Sequence, residues 1–344
     1  MKILGIETSC DECAAAVVED GEAILSNVVA TQIPFHAAYN GVVPEIASRK
    51  HTEWIQAAAR NALEKACSGP SDIDAVAATS RPGLLGALLV GLNFAKAFAW
   101  AVNKPFIAVD HILAHLYASR MDTGVSPQPA YPFLGLLVSG GHTIICRADD
   151  FDDLTILGTT VDDAAGEAFD KVTKHYGFGY PGGLNIEKLS KTGDPLAFRF
   201  PLPNLRKGTG CDVSFSGLKN AVINQTEQFR VLQKPEGEAQ EKANIAASFQ
   251  KTAVDILVRA VSRAVEETGI KAIVAGGGVA ANSLLRSRLA GIDGLCCIFP
   301  PLELCGDNAA MVAGIAYQYL KRGISSPLTV TAGARVKAFK RRYF

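Results

Sequence analysis

The chain has no surplus of charge: its 344 residues carry 34 basic and 34 acidic side chains, a formal net charge of zero. No global field draws in a polyanion, so a nucleic-acid partner has to be met by a local patch. An export segment is also missing, because Glu7 interrupts the apolar start after a few residues, and the expected location is the cytoplasm. The most apolar stretch, 83–102, contains Asn93 and Lys96. A lysine at mid-bilayer is costly enough to make this a buried core helix and not a membrane span. Eight cysteines are scattered through the chain, which implies no disulfide framework. The one Cys-x-x-Cys spacing, Cys10 to Cys13, lacks the second pair that a zinc site requires. The pattern G-x-x-x-x-G-K-[ST] is absent, which removes the commonest loop for ATP phosphates.

What is present is the composition of a packed globular protein, 48% apolar and 20% charged, laid out as one plan stated twice. Residues 2–27 read as strand, tight turn, strand, acidic turn, strand, and residues 132–158 read the same way. Two strand-to-helix units follow each. In the first half these are strand 75–78 with helix 84–102 and strand 106–109 with helix 111–121. In the second half they are strand 272–275 with helix 281–290 and strand 295–299 with helix 308–321. The repetition predicts two related α/β lobes, 1–131 and 132–344, with a ligand cleft between them. The segment from about 160 to 250 has no counterpart in the first half and reads as a mainly helical insertion. It opens with a helix over 162–176 whose acidic first turn suits an N-terminus.

Both hairpin turns hold hydroxyls or glycines where backbone N–H groups could cradle a phosphate: Thr8 and Ser9 in one, Ser139, Gly140 and Gly141 in the other. Gly276 to Ala281 matches G-x-G-x-x-A between a strand and a helix, a setting for a nucleotide. Gly177 to Gly182 matches the related pattern after a helix and with a proline inside, which makes it a loop. His111 and His115 stand four apart, on one helix face, and suit one transition metal. A two-fold relation between the lobes would bring Asp307 toward them. Two imidazoles and a carboxylate leave coordination positions open, as catalytic sites do. A metalloprotease of the His-Glu-x-x-His kind needs glutamate where Ile112 stands, so that mechanism lacks its base. No Ser-His-Asp or Cys-His set for a covalent intermediate is found. Glu12 and His142 are the candidates for moving a proton.

Gly5 to Glu12, His111 to His115, Leu137 to Thr143, Asp162 to Lys171, Ser214 to Lys219 and Gly276 to Asn282 together resemble the bacterial TsaD family of tRNA threonylcarbamoyladenosine transferases, in order and over nearly the whole chain. The resemblance implies a duplicated two-lobe, actin-like and sugar-kinase-like (ASKHA) ATPase fold with the helical insertion in the second lobe. It implies transfer of the threonylcarbamoyl group from threonylcarbamoyl-AMP to N6 of the adenosine 3′ of the anticodon, in tRNAs reading codons that begin with A, with release of AMP. It also implies that His111, His115 and Asp307 hold one divalent ion, iron or zinc. Leu137, Val138, Ser139, Gly140 and Gly141 would then hold ATP or the adenylate. Asp170, Gly183, Glu187 and Asn282 would contact the nucleoside, Glu187 standing where many relatives have Asp. The implied partners are tRNA, a TsaB-type paralogue and a TsaE-type ATPase, with no membrane.

The visible basic patch is C-terminal: Arg335, Lys337, Lys340, Arg341 and Arg342, with Phe339 and Tyr343. It reads equally as a set of RNA phosphate contacts and as a solubilising tail. A metalloprotease and a non-enzymatic, nucleotide-dependent actin-like scaffold are the alternative functions.

Overall fold

A computed structural model describes residues 1–121, 130–203, 210–229, 238–336 and 339–341. The first sheet holds β1 (Lys2–Glu7), β2 (Glu12–Glu19), β3 (Ala23–Thr31), β4 (Ala75–Arg81) and β5 (Phe106–Asp110) in the order β3-β2-β1-β4-β5. β1 to β3 form an antiparallel meander, and β4 and β5 add parallel strands on the other side of β1. The second sheet repeats this with β6 (Phe133–Val138), β7 (Thr143–Ala148), β8 (Leu154–Thr159), β9 (Ala272–Gly276) and β10 (Cys296–Ile298). Its order is β10-β9-β6-β7-β8, with a short β11 (Lys340–Arg341) parallel to β8 at the edge. Even the irregularities match: the second strand of each meander slips register against the third, at Val17/Val18 and at Ile145/Cys146. The duplication read from the sequence is therefore a duplication of sheet topology.

Helices cover these sheets where the strands present apolar residues. Leu4 and Ile6 of β1 pack with Ile55, Ala59 and Leu63 of α2 (Pro44–Lys65) and Leu92 and Ala95 of α3 (Leu85–Ala101). α2 is a 22-residue helix without a sequence expectation. Its buried stripe, Ala47, His51, Ile55, Ala58, Ala59, Ala62 and Leu63, has helical spacing but mostly small side chains, so its apolar signal is weak. α3 is the expected core helix, and among the described residues no helix is long and apolar enough to cross a membrane. α4 (His111–Tyr117) follows β5 directly.

In the second half, α5 (Ala165–Tyr176), α6 (Gly182–Ser190), α7 (Ser216–Phe229) and α8 (Glu238–Thr268) stand between β8 and β9. They form a core around Phe169, Phe215, Phe249 and Leu257. α5 begins at Ala165, three residues later than expected, because Asp162 and Asp163 serve other partners. Asp162 Oδ1 accepts from Phe215 N and Ser216 N at the start of α7, at 2.8 and 3.2 Å. Asp163 pairs with Lys171 at 2.5 Å and Lys219 at 2.8 Å. α9 (Ser283–Ala290) likewise starts after a short 3₁₀ turn at Gly278–Ala281 and not at residue 281.

The division of the chain differs from the expected 1–131 and 132–344. One compact unit comprises Met1–Pro129 and Pro300–Ala338, the other Ala130–Phe299 and Phe339–Phe344. α10 (Leu302–Cys305) and α11 (Ala309–Lys321) thus belong with the first sheet. The physical reason is Gly5: a Cβ at this position of β1 would lie 2.8 Å from Ala313 N and 2.9 Å from Ala313 Cβ, so only glycine lets α11 lie flat on the strand. In the C-terminal tail, the Lys340 ammonium meets both carboxylate oxygens of Asp153 at 2.9 and 3.0 Å, a surface pair that leaves the lysine largely exposed. Lys337, Arg342 and Tyr343 lie outside the described residues.

Candidate functional site

Asp110 caps α4 by accepting from Ile112 N at 2.9 Å, which makes His111 the first helical residue and sets His115 one turn on. The two rings stand edge to face with centroids 4.4 Å apart. Their Nε2 atoms are 3.1 Å apart. Asp307 completes the group, with Oδ1 3.1 Å from His115 Nε2 and 3.5 Å from His111 Nε2. Asn308 holds Asp307 there: its Oδ1 caps α11 by accepting from Met311 N, and its Nδ2 donates to Leu304 O and Gly306 O at 3.2 and 2.9 Å. Asp307 thus meets the histidines inside one unit, through the packing of α11, and not by a symmetry relation between lobes.

This donor set fits a first-row divalent ion. Four-coordinate bonds of roughly 2.0 to 2.1 Å separate neighbouring donors by about 3.3 Å, and all three donor atoms here have that spacing. Electrostatics point the same way. Burial works against the His111 imidazolium, but Asp307 and Glu7 outweigh it and push its pKa up to about 9. Burial, and then the charge on His111, hold His115 below the ordinary histidine value. The two carboxylates thus favour positive charge here, and a metal ion would take the place of the proton on His111 Nε2.

Around this group are residues that the sequence reading passed over. Glu7, fully buried, accepts from Thr79 Oγ1 at 2.6 Å and Ser9 N at 2.5 Å, and lies 3.0 Å from His111 Nδ1. Burial alone would raise its pKa; the neighbouring His111 brings it below the usual carboxylate value. A lone acid in an otherwise apolar strand was the available signal. The Thr8 and Ser9 hydroxyls, expected beside a phosphate, have partners within the chain. Thr8 Oγ1 donates to Ala87 O at 2.9 Å, Ser9 Oγ lies 3.3 Å from His111 Nδ1, and both residues are buried. Glu12 accepts from Thr31 Oγ1 at 2.8 Å. Burial pushes its pKa up to about 8, with Thr31 opposing, so near neutrality it carries a proton and is no ready acceptor for one.

In the second unit, Leu137 and Val138 are core residues of β6, leaving only their backbone for a ligand. The turn after them is closed by Ser139 N donating to His142 O at 2.8 Å and His142 N donating to Ser139 Oγ at 3.1 Å. Gly140 and Gly141 are exposed at its tip. The turn rests on Gly166, where a Cβ would come within 2.8 Å of Ser139 O and Gly140 Cα. Asp170 Oδ1 accepts from Gly182 N at 2.7 Å, next to Gly183. Glu187 Oε1 accepts from Ser283 N at 3.1 Å. Asn282 caps α9 through Leu285 N and donates to Gln250 Oε1, both at 3.0 Å. The expected adenylate residues are thus linked, α5 to α6 and α6 to α9, and three of them bond helix N-termini.

The family model for TsaD, tRNA N6-adenosine threonylcarbamoyltransferase, matches residues 23–314. The chain belongs to the TsaD family. A relative of that name from Treponema denticola is 61% identical over 346 residues, covering 99% of both chains. Another from Borreliella burgdorferi is 50% identical, covering 100% of this chain and 96% of the relative. Among solved structures, T. kodakarensis HypF matches with a TM-score of 0.60 at 14% identity, over 94% of this chain and 48% of that one. Component A of the Acidaminococcus fermentans (R)-2-hydroxyglutaryl-CoA dehydratase matches with a TM-score of 0.54 at 13% identity, over 93% and 99%. These likenesses speak to fold alone, and they agree with the duplicated two-lobe ASKHA architecture of a TsaD chain.

Proposed function

We propose that this TsaD-family chain transfers the threonylcarbamoyl group from threonylcarbamoyl-AMP to N6 of the adenosine 3′ of the anticodon in tRNA, releasing AMP. The full-length identity of 61% to a transferase of that name carries the reading. In the reaction the N6 nitrogen attacks the carbamoyl carbon, a C–N bond forms, the C–O bond to the phosphate breaks, and the N6 proton departs. His111, His115 and Asp307 would hold the divalent ion, which when bound supplies positive charge to polarise the donor and stabilise the leaving phosphate. The turn 139–141, with two exposed glycines, supplies backbone N–H groups for the adenylate. Asp170, Gly183, Glu187 and Asn282 would line its nucleoside end. His142 stays as the candidate for taking the N6 proton, whereas Glu12, protonated near neutrality, suits a donor's role. Partner proteins of TsaB and TsaE type would complete the RNA surface that a neutral chain lacks.

A metalloprotease finds no support in the site: Ile112 is fully buried at the position that would need a glutamate. The test is mass spectrometry of tRNA nucleosides from cells depleted of their own transferase and given this chain or its His115→Ala form, with cognate partners. Restored threonylcarbamoyladenosine with the unaltered chain alone is expected. Equal restoration by both removes the metal from the reading, and restoration by neither removes the transferase.

A further inference from the structure

Three side chains or backbone groups around Glu7 set a problem in hydrogen-bond accounting. Glu7 is fully buried, and an ionised carboxylate there must have every oxygen served by a donor. Ser9 N serves Oε1 at 2.5 Å, and Thr79 Oγ1 serves Oε2 at 2.6 Å. The third neighbour is His111 Nδ1, 3.0 Å from Oε2. A carboxylate can only accept, so His111 Nδ1 must carry a hydrogen and donate it. That leaves the lone pair of a neutral imidazole on Nε2, the atom that faces His115 Nε2 and Asp307 Oδ1.

We infer that Glu7 is a positioning residue for the metal centre: it fixes the His111 ring and its Nδ1–H tautomer, so that Nε2 is presented to the ion, and it ties this ligand to the backbone of the turn at Ser9. This rests on the reading of His111, His115 and Asp307 as metal ligands. The arrangement is specific to an acid. In a Glu7→Gln chain of nearly the same shape, one oxygen position becomes an NH₂ group. The Ser9 N–H can pair only with the remaining carbonyl oxygen, which turns the NH₂ toward His111 Nδ1. The ring then has to accept at Nδ1 and carry its hydrogen on Nε2, where the metal lone pair is needed. Thr79 supports the same orientation from the other side, since its hydroxyl is the second donor to Oε2.

The measurement is Co²⁺ and Zn²⁺ affinity by competition with a chromophoric chelator, on the unaltered chain and on Glu7→Gln, Glu7→Asp, Thr79→Val and His115→Ala, with thermal unfolding of each metal-free chain to establish folding. Loss of a partner that orients a ligand weakens metal binding by about 10- to 100-fold, and that loss is expected for folded Glu7→Gln, with an altered Co²⁺ visible spectrum. Glu7→Asp, which keeps acceptor-only chemistry, is expected to recover part of it, and Thr79→Val to lose several-fold. A purely structural role would lower the melting temperature and leave affinity and spectrum unchanged. Folded Glu7→Gln that binds like the unaltered chain, while His115→Ala has lost binding, overturns the inference alone. Unchanged binding in His115→Ala overturns the metal reading and the inference with it. If Glu7→Gln does not fold, Thr79→Val decides: unchanged affinity in that folded variant overturns the inference.

Discussion

Asp307 and His115 are 192 residues apart in the chain and 3.1 Å apart in the fold, Oδ1 to Nε2. The carboxylate is delivered by the loop before α11, and the imidazole by the second turn of α4. Asp307→Asn keeps the shape and removes the charge, so it is expected to weaken Zn²⁺ binding more than the second-layer change at Glu7, by over about a hundredfold. Chelator competition on the folded variant measures this, and affinity within a few-fold of the unaltered chain would exclude Asp307 as a ligand.

Glu12 gives a pH signature. Its folded pKa of about 8 lies above the ordinary 4.5, chiefly through burial. The folded state therefore holds this proton more tightly than the unfolded one, and the associated stability is present below the ordinary value and lost as pH rises through the folded value. Glu12→Gln mimics the neutral form and removes the dependence. The variant's melting temperature is expected to gain on that of the unaltered chain from pH 5 to pH 8, and a constant difference would rule out the protonated carboxyl.

Asp163 gives the opposite sign. Two lysines, acting against burial, hold its carboxyl below the usual value. The stability this provides is present above the unfolded value and lost as pH falls through the folded one. Asp163→Asn is expected to cost up to about 1 kcal/mol in urea unfolding at neutral pH, since solvent screens the pairs. The two chains should converge as pH falls below the folded value, and a gap that stays constant with pH would refute the ionic origin.

Gly166 supports the turn proposed to hold the adenylate. An alanine there would push on Ser139 O and Gly140 Cα, which leave it 2.8 Å. Displacements of this kind cost on the order of ten- to a hundredfold in a positioned reaction. Gly166→Ala is expected to raise the KM for threonylcarbamoyl-AMP more than it lowers kcat. An unchanged KM in the folded variant would remove the turn from donor binding.

The legible parts of the fold were those whose chemistry repeats along the chain. Strands with apolar alternation and helices bounded by Gly or capping residues stood out, as did a pair of histidines spaced one helical turn apart. α2 stayed hidden because its buried stripe is mostly alanine, with a histidine and only Ile55 and Leu63 as large apolar residues. β11 stayed hidden because two residues acquire strand character only by lying against Thr155 and Ile156. Asp162 and Asp163 resemble the opening of α5 only by proximity in sequence, because they also hold Ser216 and Lys219 on another helix. Glu7 was visible only as an interruption, since nothing in a linear pattern tells that Thr79 and His111 will converge on one carboxylate.

The return of residues 300–338 to the first sheet sets an order of events during synthesis. β1 leaves the ribosome first, but the helix that lies on it, and the aspartate that faces its histidines, leave nearly last. A nascent chain stalled before residue 300 has all of the second sheet except its short edge strand, and a first sheet still bare on the face that α11 will cover. The half that is made first is therefore the half that finishes last, and its bare strand face is the part of the newborn chain most in need of shelter from aggregation.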